Sequence, residues 1–277
     1  MSSSRTVRRR LLRVGEGVVQ WRGDDVVAEE PLEIRIGGQP VAVTMRTPGN
    51  DFELAIGFLV TEGLVQRPEQ VRTIQTCAWK QSGEFNVVDV VLSDDAPRFD
   101  PAASRNFYTT SSCGLCGKAS IDAIRTRAQW PVRDDPLRVA VAMLQSLPAR
   151  LRPAQRVFER TGGLHAAGLF DSAGAVVCVR EDVGRHNAVD KVIGWAATER
   201  RLPLRSHLLM VSGRASFELA QKALMAGIPA LAAVSAPSSL AVELAEEAGM
   251  TVVGFIRDGG MNVYAGAHRV DTAAESR

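Results

Sequence analysis

Leu208-Leu209-Met210-Val211-Ser212-Gly213-Arg214-Ala215-Ser216 is the stretch that decides the fold. Four apolar residues in a row give way to small and hydroxyl residues, and a helix-compatible run follows from Arg214 to Met225. The pattern then repeats. Ala230–Val234 reads as a strand, Ser239 to Ala248 as a helix, Thr251–Ile256 as a further strand and Met261–Tyr264 as a short edge strand. Apolar strands without polar alternation, separated by helices of about 10–12 residues, predict a parallel sheet covered on both faces. Upstream, Gly168–Phe170 and Val176–Arg180 read as an antiparallel pair around Asp171–Gly174, and Gly184 to Thr198 as a helix. The expected class is α/β, with a mostly parallel sheet in a larger domain over residues 111–270.

Residues 14–110 read instead as a smaller, β-rich N-terminal domain with one helix. Glu33–Ile36 and Val41–Met45 alternate around Gly37-Gly38-Gln39-Pro40, a hairpin signal. Asn50 or Asp51 is placed to cap a helix over Phe52 to Glu62. Further strands are expected at Ile74–Ala78 and Phe85–Leu92. The Asp-, Pro- and Ala-rich run Ser93 to Ser104 reads as a linker, and residues 118–148 as two helices broken at Trp130-Pro131. Met1 to Arg13 holds five arginines. The apolar residues after it are too few and too interrupted for a signal peptide, so it reads as a solvated, frayed tail.

Composition bounds the function. The chain has 277 residues, 45% hydrophobic and 23% charged, which suits a soluble globular protein. A net charge of +2 argues against a broad nucleic-acid surface. No apolar run approaches the ~20 residues of a membrane span. Four cysteines in a chain this long make no disulfide framework, so a cytoplasmic, reducing compartment is expected.

In open α/β sheets, ligands bind beyond the carboxyl ends of the strands. Here those ends run into Ser212-Gly213-Arg214, into Ser235, and into Arg257-Asp258-Gly259-Gly260. Free N–H groups at helix starts beside an arginine suit phosphate or pyrophosphate. N-capping by Ser212 and Ser238 accounts for the serines equally well. The spacing is neither GxGxxG nor a P-loop, so NAD and ATP are not favoured. A second polar cluster, Arg180 to Lys191, crowds Arg185, His186 and Asn187 at one helix start. His165, after Thr161-Gly162-Gly163-Leu164, is a third candidate, for which an ordinary core histidine is the simpler account.

Cys77 and Cys178 sit inside strand patterns and are expected to be buried and inert. Cys113 and Cys116 differ: Thr109-Thr110-Ser111-Ser112-Cys113-Gly114-Leu115-Cys116-Gly117-Lys118 is a Gly-flanked loop before a helix-like run. A helix N-terminus and a lysine can lower a thiol's pKa from ~8.5 into the range of about 3.5–7.5. A zinc site needs four ligands, and no second pair exists in one chain, although two chains could supply one across a dimer axis. A thioredoxin-like pair belongs at the end of an early βαβ strand. A zinc deaminase carries His-x-Glu ahead of its Cys-x-x-Cys, whereas here His165-Ala166-Ala167 lacks the Glu and follows the cysteines. A nucleophilic cysteine that carries a group, such as sulfane sulfur, is what remains.

Five blocks resemble one family: Arg46-Thr47-Pro48-Gly49 with Asp51–Gly63, Thr110–Lys118, Thr161–His165, Glu181–Lys191 and Val211–Tyr264. Together they are similar to the FdhD family, the formate dehydrogenase accessory sulfurtransferases, over nearly the whole chain after about residue 15. The resemblance implies that sulfur is taken from a cysteine desulfurase as a cysteine persulfide. It is then passed to the molybdenum bis(molybdopterin guanine dinucleotide) cofactor of apo formate dehydrogenase, for which GDP-like nucleotides serve as mimics. It also implies a cytidine-deaminase-like larger domain without zinc, and a homodimer. Cys113 maps onto the persulfide carrier, with Cys116 beside it. Phe255-Ile256-Arg257-Asp258-Gly259-Gly260 maps onto the cofactor stretch, and His165, Arg185 and His186 are placed to line the path to Cys113. One departure stands out: members commonly carry arginine where this chain has Gly260, which touches one implied cofactor contact. The alternative class is a cofactor-binding chaperone whose CxxC is structural or binds zinc. No nucleic-acid or membrane partner is implied.

Overall fold

The computed structural model describes residues 4–15, 17–77, 86–98, 128–257 and 259–272. Cys113, Cys116, Asp258, the distal half of the expected linker and the first of the two helices expected over 118–148 lie outside these residues.

The central sheet contains β8 (His165–Asp171), β9 (Val176–Asp182), β10 (His207–Val211), β11 (Ala230–Ala233), β12 (Thr251–Arg257) and β13 (Gly260–Ala265), in the order β13-β12-β11-β10-β8-β9. Both faces are covered, as the unbroken apolar strands require. Leu209, Val211, Leu231, Ala233 and Val252 enter one core cluster, while Leu208, Met210, Ala230, Ala232 and Val253 enter a second on the other face. The expectation of a mostly parallel sheet is corrected. Only β10–β11 and β11–β12 run parallel; β8–β9, β8–β10 and β12–β13 are antiparallel. Apolar continuity reports burial on both faces; it does not report direction.

The helices are α1 (Asp51–Thr61), α2 (Val141–Leu151), α3 (Arg156–Thr161), α4 (Arg185–Thr198), α5 (Phe217–Met225) and α6 (Ser239–Ala248). A second, four-stranded sheet comprises β3 (Glu30–Ile36), β4 (Gln39–Arg46), β5 (Val71–Cys77) and β6 (Val87–Leu92), ordered β4-β3-β6-β5. The expected hairpin around residues 37–40 is β3–β4. One apolar cluster runs from this sheet (Leu32, Ile34, Val88) through α1 (Leu54, Leu59) to α4 (Val189, Ile193). The α1–α4 crossing is very close: a Cβ on Gly57 would fall 1.8 Å from the Asp190 carbonyl oxygen, and one on Gly194 1.7 Å from that of Glu53. A short parallel pair, β7 (Val139–Ala140) with β14 (Val270–Asp271), sends Val139 and Val270 into the second cluster, on the other face of the central sheet.

Three local expectations are corrected. Residues 128–138 are not helical, and α2 begins only at Val141. Asp135 accepts from the Leu137 and Ser206 amides, and Arg269 grips the Val132 and Arg133 carbonyls, so those backbone groups are taken by partners outside any helix. The run expected to be helical from Arg214 starts at Phe217, because Ala215 still bridges Pro237 in strand fashion. The arginine-rich N-terminus is not a frayed tail: β1 (Thr6–Gly15) pairs with β2 (Val18–Val27) along all ten residues of each strand.

Candidate functional site

The carboxyl ends of β10, β11 and β12 are stitched into one rim by their own backbones. Beyond β10, Ser212 donates its N–H to the Ala166 carbonyl (3.0 Å), and its Oγ accepts from the Ala166 N–H (2.9 Å). Ser212 thereby prolongs the β8–β10 pairing and caps no helix, which corrects the capping expectation for it. Ser238 does cap α6, accepting from the Ala241 N–H at 3.3 Å. The Ser235 N–H reaches the Gly213 carbonyl (3.3 Å), and the Phe255 N–H reaches the Ser235 carbonyl (3.2 Å). Gly213, Ser235 and Phe255 therefore stand side by side.

Phe255 has φ of 55°, the left-handed region that non-glycine residues rarely occupy. The distortion breaks the β12–β13 register between Gly254 and Arg257. Arg257 lies over the Phe255 ring, 5.5 Å from its centroid, and is exposed, as is Arg214. Ile256 is turned into the core. Gly259, with φ of 75°, makes the turn into β13, and among the described residues a Cβ on Gly260 would meet only the Arg257 carbonyl, at 3.7 Å.

His165 closes the other end of the rim. A Cβ on Gly213 would lie 3.5 Å from its Nδ1. Burial first, then the Arg185 and His186 charges, hold the His165 pKa below the usual imidazole value, so its neutral ring is favoured at pH 7. His186 Nε2 stands 3.3 Å from Glu218 on α5, and this contact is the main reason the Glu218 pKa falls to about 2. The Arg185 Nε is buried without a hydrogen-bond partner among the described residues. His165, Arg185 and His186 thus adjoin the rim formed by Gly213, Ser235, Phe255 and Arg257, where the exposed arginines and the start of α4 at Arg185 can take an anion.

The rest of the Glu181–Lys191 block has a different job. Lys191 and Asp182, both fully buried, pair at 2.7 Å. Burial outweighs the pull of Asp182 and lowers the Lys191 pKa. Asp182 also accepts from the Thr47 and Gly184 N–H groups and from Asn187 Nδ2, and Lys191 donates to the Thr47 carbonyl. Glu181 receives the first amides of α3, from Val157 and Phe158. Asp190 holds the buried Lys222 at 2.9 Å and Thr61 at 2.8 Å. Burial opposes the Lys222 charge, but Asp190 and Glu62 outweigh it and raise its pKa. Arg46 binds Asp51, Glu30 and Asn86. The Arg46–Gly49 and Glu181–Lys191 blocks are two halves of one buried clamp between the sheets. Sequence reading saw the density of charge there but not the partners, which lie up to 144 residues away.

Burial pushes the Cys178 thiol up to about 12, so it is inert, and Cys77 is half-buried at the end of β5. A separate cleft of about 360 Å³ is lined by Trp130, Pro131, Arg133, Leu224 and Leu244. Among the described residues, no group of three or more His, Cys, Asp or Glu is arranged to hold a metal ion, and no helix is long and apolar enough to cross a membrane.

The family model described as the FdhD/NarQ family matches residues 27–271. The chain is 60% identical over 269 residues to the sulfur carrier protein FdhD of Streptomyces coelicolor, covering 96% of this chain and 95% of the relative. It is 58% identical over 268 residues to the protein of that name from Mycolicibacterium paratuberculosis, covering 96% and 98%. A crystal structure described as a formate dehydrogenase accessory protein from Desulfotalea psychrophila superposes with a TM-score of 0.75. It is 24% identical and covers 97% of this chain and 100% of that one.

Proposed function

The chain belongs to the FdhD/NarQ family, and from that premise we propose that it is a sulfur carrier in formate dehydrogenase maturation that works as a sulfurtransferase. Sulfur travels as a persulfide on Cys113, from a cysteine desulfurase to the molybdenum bis(molybdopterin guanine dinucleotide) cofactor, which is its substrate. The Cys113 thiolate attacks the terminal sulfur of the donor's persulfide; the new S–S bond forms as the old one breaks, and the donor leaves as a thiolate. Delivery of the carried sulfur would break the Cys113 S–S bond and return Cys113 as a thiolate, the two electrons that take sulfane sulfur to sulfide coming from the reduced metal of the substrate or from an external thiol.

The observation that carries this reading is the rim of Gly213, Ser235, Phe255 and Arg257 with His165 and Arg185 alongside. It offers two exposed arginines, and one guanidinium nitrogen unpartnered among the described residues, to a substrate whose guanine dinucleotide arms carry phosphates. Zinc has no part in it, and a purified sample should carry none in stoichiometric amount by elemental analysis. About one zinc per chain or per dimer, lost on Cys116→Ser, would favour the chaperone with a structural CxxC.

The test is complementation of a strain that lacks this gene. Cys113→Ala should accumulate as folded protein yet restore no formate dehydrogenase activity, whereas the parent restores it. Full activity with Cys113→Ala would overturn the assignment.

A further inference from the structure

The β1–β2 ribbon is the part of the molecule that neither the core nor the rim uses. Seven of the twelve exposed large apolar side chains among the described residues lie on it. Its register sorts them. Leu12 faces Trp21 and Val14 faces Val19, so these four share the outer half of one face. Val14 is 70% exposed and Trp21 60%. Arg10 stacks on Trp21 at 4.8 Å. Alternation puts Arg9, Arg13 and Arg22 on the opposite face. Between positions 4 and 27 the sequence has six arginines against three acidic residues. A lone two-stranded ribbon with this much apolar exposure is marginal in water and suits a surface that will be covered.

Its root is tied down beside the rim. Asp25 pairs with Arg160 at 2.7 Å, and Arg5 donates to the Glu181 carbonyl at 3.2 Å. Val27 sits so close to Gly163 that a Cβ there would fall 2.9 Å from its Cγ2. Gly163 is two residues before His165, and Glu181 opens the block that carries Arg185 and His186. A molecule held at Leu12 and Trp21 is thus fixed to the body that carries the rim, about 20 Å along the ribbon from its root.

Three candidate occupants can be compared. Among the described residues the ribbon is a sheet of two strands, so both long edges carry unpaired backbone groups. A bilayer leaves such groups unsatisfied, whereas a protein strand pairs with them. A second ribbon packed on the apolar face would cover Leu12 and Trp21 but leave the opposite face, with Arg9 and Arg13, without added counter-charge. Its charge calls for an acidic counterpart.

We propose that the ribbon is a docking arm for a protein partner that presents an acidic, extended edge strand. Main-chain bonds would run along the ribbon edge, acidic side chains would meet Arg9, Arg13 and Arg22, and an apolar patch would cover Leu12 and Trp21. This rests on the sulfur-transfer reading, which supplies the two proteins to try: the cysteine desulfurase and the formate dehydrogenase apoprotein of the same organism.

Biolayer interferometry of the full chain against each purified protein tests it, with Trp21→Ala and the double variant Arg9→Glu/Arg13→Glu alongside the parent. Trp21→Ala should weaken binding to at least one of the two by roughly tenfold or more. The charge reversal should slow association and flatten its salt dependence. GDP binding, followed by calorimetry, should be unchanged in both variants. The proposal is overturned if the parent binds neither protein, or if both variants bind as the parent does. It is equally overturned if the variants change only sedimentation with phosphatidylglycerol–phosphatidylcholine vesicles, or only the oligomeric state in light scattering. A parent that fails to bind GDP would count against the sulfur-transfer reading; GDP binding with unmoved partner affinities would count against the ribbon alone.

Discussion

The buried clamp and the strand-end rim are built from the same kind of residue and use it in opposite ways. In the clamp, Asp182, Lys191, Asn187 and Arg46 each find partners inside the protein, and their charges are spent on joining two sheets. At the rim, Arg214 and Arg257 are exposed and the Arg185 Nε has no hydrogen-bond partner among the described residues, while the backbone is held in a strained shape at Phe255. A charged cluster is therefore a site only where the fold leaves its groups unspent. One sequence block, Glu181–Lys191, contributes to both: its acids, Asn187 and Lys191 to the clamp, Arg185 and His186 to the rim.

Breaking the clamp should cost stability far more than binding. Asp182→Ala leaves Lys191 charged and buried without its counter-ion, for an expected loss of about 3–5 kcal/mol. Urea denaturation reads this directly. Exchanging both partners for apolar residues, as in Asp182→Leu/Lys191→Met, should recover part of the loss. If Asp182→Ala melted like the parent, the clamp would not be structural.

The rim should behave the other way. Arg257→Ala removes a charged hydrogen-bond donor and should weaken GDP binding roughly 10- to 150-fold in calorimetry, with little change in melting temperature. Unchanged GDP affinity would mean that the crevice is misplaced. Gly260→Arg sharpens the same point. Among the described residues a Cβ on Gly260 makes only an ordinary contact with the Arg257 carbonyl, and an added cation beside a phosphate should tighten GDP binding by up to about tenfold. Weaker binding would show that the turn cannot carry one.

The smallest effect is the pH dependence at the junction between the two regions. The folded pKa of Glu218 is depressed from 4.5 to about 2, mainly by His186. The stability it contributes is present above 4.5 and lost as pH falls toward 2. His165 is also depressed, so acidification below its ordinary value of 6.5 costs further stability. Melting temperatures of the parent and His186→Gln should therefore differ above pH 4.5 and converge as pH falls toward 2. A difference that stayed as large at pH 2 as above 4.5 would contradict the pairing.

How much of this was legible follows from where each signal lives. The strands and helices from residue 207 onward were readable, because burial on both faces leaves apolar runs unbroken. Strand direction was not, and the antiparallel strands β8, β9 and β13 turned a mostly parallel expectation into a mixed sheet. The β1–β2 ribbon escaped because a strand solvated on both faces shows no apolar alternation. Gly57 and Gly194 gave no signal as a contact: a glycine inside a helix reads only as a propensity cost until the facing helix is known. At the rim, Ser212, Gly213, Ser235 and Arg257 were singled out because strand ends are where such sheets bind ligands. The juxtaposition with His165 depends on the β8–β10 pairing, which no local pattern encodes.

The central claim is sulfur transfer through Cys113, and intact-protein mass spectrometry tests it most directly. After incubation with a cysteine desulfurase and cysteine, the parent and Arg257→Ala should each gain about 32 Da, the mass of one sulfur atom, removable by a thiol reductant, and Cys113→Ala should gain nothing. An equal adduct on Cys113→Ala, or none on the parent, would contradict it.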